Sequence, residues 1–104
     1  ESGIINGPSP AIGVVGGSAK FTCEIDLVAS EYIQWRFGDT VIYKHYVNGE
    51  DDNPKEDEKY HVEVDEAKFR LTVKNLTLED AALPYICEVP VSDPVEAKLD
   101  VVGM

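Results

Sequence analysis

The sequence predicts an all-β protein made of two packed antiparallel sheets, and three observations carry that prediction. Apolar and polar residues alternate with a period of two through several separate runs. Turn signals built on glycine and proline fall between those runs at the spacing expected of a sandwich. No stretch sustains a 3.6-residue period, and the best helical candidate, Leu78–Ala82, is one turn at most. At 104 residues the chain has the size of one domain, 1–104. Such a chain buries roughly two-thirds of its unfolded surface around a single core.

The elements follow in order. Short strands are expected at about 4–6 and 11–15, with Pro8 and Pro10 placed where an edge strand tolerates a lost backbone donor. Gly16-Gly17 turns the chain into 18–26, where Ala19, Phe21, Cys23 and Ile25 alternate with Lys20, Thr22, Glu24 and Asp26. Strand 31–37 alternates more weakly, Gly38-Asp39 makes a hairpin tip, and 40–47 returns. Asn48-Gly49 opens a polar loop that contains Pro54, with one further strand near 50–54. Strand 59–65 again alternates weakly, and 68–74 turns Phe69, Leu71 and Val73 inward. Strands 84–90 and 95–102 complete a set of eight or nine, Ala97, Leu99 and Val101 alternating with Glu96, Lys98 and Asp100.

Composition excludes several classes. The chain is 43% hydrophobic and 28% charged, unlike a disordered, collagenous or coiled-coil sequence. Twenty acidic residues against nine basic ones give a formal charge of −11, a field that repels nucleic acid. No run approaches the roughly 20 apolar residues of a membrane span, so any membrane contact is expected through a segment outside this chain. The chain opens at Glu1 with no basic-then-apolar leader, and reads as a fragment of a longer protein.

No catalytic constellation emerges. His45 and His61 lie in strand-like segments, outside any nucleophile–base or metalloprotease frame, and read as surface or rim residues. Gly16-Gly17 precedes a strand rather than a helix, so it is not a phosphate loop. Residues 50–66 carry nine acids against Lys55 and Lys59. Glu50-Asp51-Asp52 could offer oxygens to calcium, but no EF-hand spacing is present. A solvated loop is the expected reading, a partner-facing acidic patch the alternative, and neither metal nor cofactor is expected.

Cys23 and Cys87 are separated by 64 positions, belong to no C-x-x-C pair and are not completed to a zinc site by the histidines. The pair reads as a disulfide worth about 4 kcal/mol in chain-entropy terms. Two buried free thiols in a reducing compartment are the alternative.

The constellation of Cys23, Trp35 twelve residues on, and Tyr85 two residues before Cys87 resembles the immunoglobulin superfamily. That resemblance implies a Greek-key β-sandwich in which the disulfide joins the sheets and Trp35 packs on it. It also implies a corner tied by the Tyr85 hydroxyl. Lys59-Tyr60-His61-Val62 and Leu71-Thr72-Val73-Lys74-Asn75-Leu76 are similar to the family's strands D and E. The family places an Asp four residues before the Tyr, whereas Asp80 stands five before Tyr85 with Leu83-Pro84 in the corner. A Lys59–Asp80 ion pair is therefore expected only as a partly exposed contact of small worth. The 35 residues between Trp35 and Leu71 suit a variable-like or intermediate-type domain. The last strand, Leu99-Asp100-Val101-Val102-Gly103, lacks the Phe-Gly-x-Gly bulge of rearranged antigen receptors.

The resemblance implies a binding module and not an enzyme: an extracellular domain of a cell-surface adhesion or receptor protein. Its expected partner is a protein, either a second copy or a related cell-surface receptor. The expected surface is the exposed face of the C-prime, C, F and G strands. Tyr32, Gln34, Arg36, Ile86 and Glu88 point outward, while Tyr43, Lys44, His45 and Tyr46 crowd the neighbouring strand with its parity open. The contact is expected around Gln34, Arg36, Tyr43, Ile86 and Glu88, with the loop Pro90–Pro94 at its rim. Asn75-Leu76-Thr77 is an N-glycosylation sequon. The alternatives are an intracellular structural domain of a muscle filament protein and a soluble immune-type receptor domain.

Overall fold

The alternating runs form two sheets closed around one core in a computed structural model that describes residues 4–26, 28, 31–46, 51–52 (backbone only), 59–90 and 93–103. One sheet orders β1 (Ile4–Asn6), β3 (Ala19–Ile25), β8 (Lys68–Val73) and β7 (Tyr60–Asp65), all antiparallel. The other orders β10 (Val95–Ala97), β9 (Tyr85–Glu88), β4 (Tyr32–Phe37), β5 (Thr40–Tyr46) and β6 (Asp51–Asp52). A separate pair joins β2 (Ala11–Val14) to β11 (Leu99–Val102).

Register makes the core. Pairing of Phe21 with Leu71 and of Cys23 with Phe69 sets the inward residues of β3 and β8 side by side. A slip of one residue would turn every one of them to water. In the other sheet Trp35 pairs with Cys87, and Cys87 is bonded across the sandwich to Cys23 with their Cα atoms 6.4 Å apart. Trp35, Tyr85, Cys23, Cys87 and Leu71 are all fully buried. The Phe21 ring stacks on Tyr85 at 4.9 Å and lies 6.4 Å from Trp35, so aromatic rings fill the space beside the bridge. Each such burial stabilises by about 1.5–3 kcal/mol.

Three features differ from the sequence expectation. The β2–β11 pair is parallel, where only antiparallel pairing is expected. Pro8 and Pro10 lack the N–H needed to continue along β3, so the first segment leaves that sheet and joins β11. Gly7 makes the crossing: a β-carbon there would collide with Val95 of β10. Second, the run 95–102 is two strands, divided at Lys98, whose carbonyl accepts from the Ala11 amide at 3.0 Å. Third, Val62 is buried but Val64 is 48% exposed, because β7 lies at the sheet edge. Strand 84–90 is realised only as 85–88, and within the strand expected near 50–54 the described Asp51–Asp52 form β6. Asn48-Gly49 and Pro54 lie outside the described residues.

The corner between β8 and β9 holds a 3-10 turn, Leu78–Ala81, within the stretch read as one helical turn. Tyr85 donates its hydroxyl hydrogen to the Asp80 carbonyl at 3.1 Å. Burial, reinforced by the charge of Asp80 and then of Tyr60, raises the Tyr85 pKa well above the phenol range. Asp80 corrects the expectation of a minor contact. It is 7% exposed, and its Oδ2 accepts from the Thr77 amide at 2.8 Å and from Lys59 Nζ at 2.6 Å. A carboxylate so placed must keep its donors, since removing one leaves charge uncompensated. Leu83-Pro84 is absorbed against the hairpin tip: the Pro84 carbonyl accepts from the Gly38 amide at 3.0 Å, and Leu83 packs over Gly38, whose φ is +59°.

Candidate functional site

Residues opposite one another in an antiparallel pair point to the same side. Since Trp35 and Cys87 point inward, the pairs Gln34–Glu88, Arg36–Ile86 and Gln34–Lys44 point outward, as do Tyr32–Tyr46 and Ile86–Glu96. The outer face of the five-stranded sheet therefore brings Gln34, Arg36, Ile86 and Glu88 together. At its centre, Gln34 Nε2 donates to Glu88 Oε1 at 2.7 Å. Arg36 Nε lies 3.2 Å from the same oxygen as an ion pair, but its N–H is not aligned for a hydrogen bond. One carboxylate thus holds two long side chains flat against the sheet.

Two of the expected face residues are not exposed. Ile86 is 6% exposed although it lies on the outer side and outside the core cluster. In register it stands between Arg36 and Glu96, the long side chains nearest to it on the two neighbouring strands. Tyr43 is 3% exposed for a different reason: it pairs with Trp35 and faces the core. A bulge between Trp35 and Arg36 pairs Arg36 with Val41 and shifts the parity of β5. The same shift turns His45 toward the core side, half-buried with its ring 5.4 Å from Phe69, a rim position rather than an open surface one. His61 is exposed.

The bulge also puts Lys44 and Tyr46 beside Tyr32. Lys44 Nζ sits 4.3 Å from the Tyr32 ring centroid and 5.0 Å from that of Tyr46, and the two rings meet edge to face at 5.9 Å. Alternation alone does not reveal a bulge, so the sequence leaves the sides of Tyr43, Lys44, His45 and Tyr46 open. Pro90, Asp93 and Pro94 are exposed, while residues 91 and 92 lie outside the described residues, as do Glu50 and 53–58 of the acidic run.

Elsewhere, an open groove of about 440 Å³ on the four-stranded sheet is bordered by Lys20, Glu24, Lys68 and Arg70. Its Arg70 is drawn to Glu63 at 3.3 Å. Among the described residues no group of three His, Cys, Asp or Glu gathers to hold a metal. No helix among them is long and apolar enough to cross a membrane.

The model of the immunoglobulin V-set domain matches residues 6–100. The chain belongs to the immunoglobulin V-set family. Solved immunoglobulin-domain structures share its fold at low identity. The tandem Ig repeats of Dlar match at 21% identity with a TM-score of 0.70, covering 94% of this chain but only 44% of that one. The RIG-5 IG1 homodimer matches at 19% and 0.77, covering 94% of both chains. Dpr1 IG1 bound to DIP-eta IG1 matches at 17% and 0.77, covering 98% of this chain and 96% of that one. Titin domains share the fold as well. No curated protein sequence matches this V-set chain.

Proposed function

We propose that this V-set domain is an extracellular protein-recognition module that binds through the outer face of β10, β9, β4 and β5. Charge on that face carries the reading. Among its described side chains Arg36 and Lys44 balance Glu88 and Glu96, in a chain whose net charge is −11. A locally neutral patch can meet another protein surface without the repulsion the rest of the domain exerts. The patch also holds the residue types that concentrate binding energy: two tyrosines and an arginine.

The partner is another immunoglobulin-type domain, either a second copy or a related surface receptor. Support comes from the neighbours named above, one a homodimer and one a complex of two such domains. A homophilic pair would be twofold, each copy presenting the same patch. The net charge makes that pairing weak and salt-strengthened. Sedimentation at rising concentration and two salt levels tests it, with Ile86→Arg and Arg36→Ala as variants. A strict monomer, combined with receptor binding that neither variant changes, would remove the face from consideration.

A second reading is a structural domain of an intracellular filament, supported by the titin likeness. Thiol alkylation of the natural protein separates the two: blocked thiols favour the extracellular module, reactive ones the filament.

A further inference from the structure

We infer that Asn75 is a glycan attachment site, and that the sugar is added before the corner around it closes. The inference rests on the extracellular reading above. Asn75 stands exposed just beyond β8 with φ at +52°, a conformation Asn tolerates. It follows the four-stranded sheet, so a bulky glycan there leaves the outer face of the five-stranded sheet open.

The backbone on both sides of Asn75 is pinned. The Lys74 amide donates to the Lys59 carbonyl at 2.8 Å, and Lys59 Nζ donates to the Asn75 carbonyl at 3.0 Å. The Leu76 amide donates to the Gly17 carbonyl at 3.0 Å, while the Leu76 carbonyl accepts from the Gly16 amide at 2.8 Å. Leu76 itself is 1% exposed, and the Thr77 amide is held by Asp80. The Thr77 hydroxyl lies 3.4 Å from the same carboxylate oxygen. A transferase must draw the Asn amide and the Thr hydroxyl together into its own cleft, and this corner withholds both backbone and hydroxyl.

Transfer therefore competes with folding. Cys87 lies 12 residues beyond Asn75, so during synthesis the sequon emerges before the disulfide and the Tyr85 tie can form. The step joins Asn75 Nδ2 to the anomeric carbon of the sugar and breaks that carbon's bond to the pyrophosphate of a lipid-linked oligosaccharide. The amide gives one proton to a base, and lipid pyrophosphate leaves.

The experiment expresses the chain behind a secretory leader in cultured animal cells. Intact mass is read before and after an amidase that removes N-glycans and leaves Asp in place of Asn. A removable glycan mass is expected on the parent chain and none on Asn75→Asp, which keeps the left-handed conformation. In a second arm, purified transferase and lipid-linked oligosaccharide are offered to folded, oxidised chain and to reduced, carboxymethylated chain. The reduced chain should accept sugar at least tenfold faster. A secreted, disulfide-bonded chain bare at Asn75 overturns the site and leaves the recognition reading standing. Equal transfer to both forms overturns the order of events. Face variants without effect on binding would sink the recognition reading and leave this one intact.

Discussion

The outward sides of the two sheets obey the same alternation and end up with opposite characters. On the four-stranded sheet the register sets Glu24 beside Lys68, Lys68 beside Asp65 and Arg70 beside Glu63. The remaining outward neighbours are polar as well: Thr22 beside Arg70, Lys20 and His61 beside Thr72, and Asn6 beside Glu24. On the five-stranded sheet the same parity turns Tyr32, Tyr46 and Lys44 outward and leaves Ile86 only 6% exposed. Alternation thus decides only that a side faces outward. Whether that side is inert or adhesive depends on which residues fill the outward positions, and on one bulge that chooses them.

The largest effect should come from the core both faces share. Trp35→Ala is expected to cost about 3–5 kcal/mol, read from urea unfolding, and to degrade both surfaces together. Next, Ile86→Arg should weaken partner binding at least tenfold, about 1.4 kcal/mol or more, while Thr22→Arg on the opposite sheet leaves it unchanged. Equal losses from the two would erase the distinction between the faces. Tyr85→Phe should cost about 1 kcal/mol at neutral pH by losing the hydrogen bond to Asp80. The folded protein raises the Tyr85 pKa, so this stabilisation is complete below the unfolded phenol value of about 10 and fades as pH rises through it. Urea midpoints between about pH 9 and 11 should fall more steeply for the parent than for Tyr85→Phe. The smallest effect is assigned to Arg70→Ala: its exposed pair with Glu63 should contribute less than about 0.5 kcal/mol to stability and nothing to binding.

The central strands were legible because their alternation has one reading: Phe21, Cys23 and Ile25 on β3 and Phe69, Leu71 and Val73 on β8 leave no other side to bury. The spacing of Cys23, Trp35, Tyr85 and Cys87 likewise pointed to the family. What escaped sequence reasoning depends on contacts between segments. The split at Lys98 depends on which neighbour each half finds, and the inward turn of Tyr43 on a register shift in the adjoining strand. Ile86 illustrates the limit of parity: the sequence places it outward, but only the folded structure shows that it is covered. Asp80 was undervalued because sequence counts residues to Tyr85 and does not count donors; three of those donor hydrogen bonds and contacts come from Thr77 and Lys59.

The crossing of the first segment has a mechanical consequence. β2 lies near one end of the chain and β11 near the other, and they run in the same direction in register over four residue pairs. Tension applied through the chain ends pulls the two strands in opposite senses along their own axes. The hydrogen bonds between them are then loaded in shear, all together, instead of being peeled one at a time as at the open end of a hairpin. Force on the ends of the domain is therefore borne in shear at this short clasp, behind the three-residue β1 that ties the first segment to the edge of the four-stranded sheet.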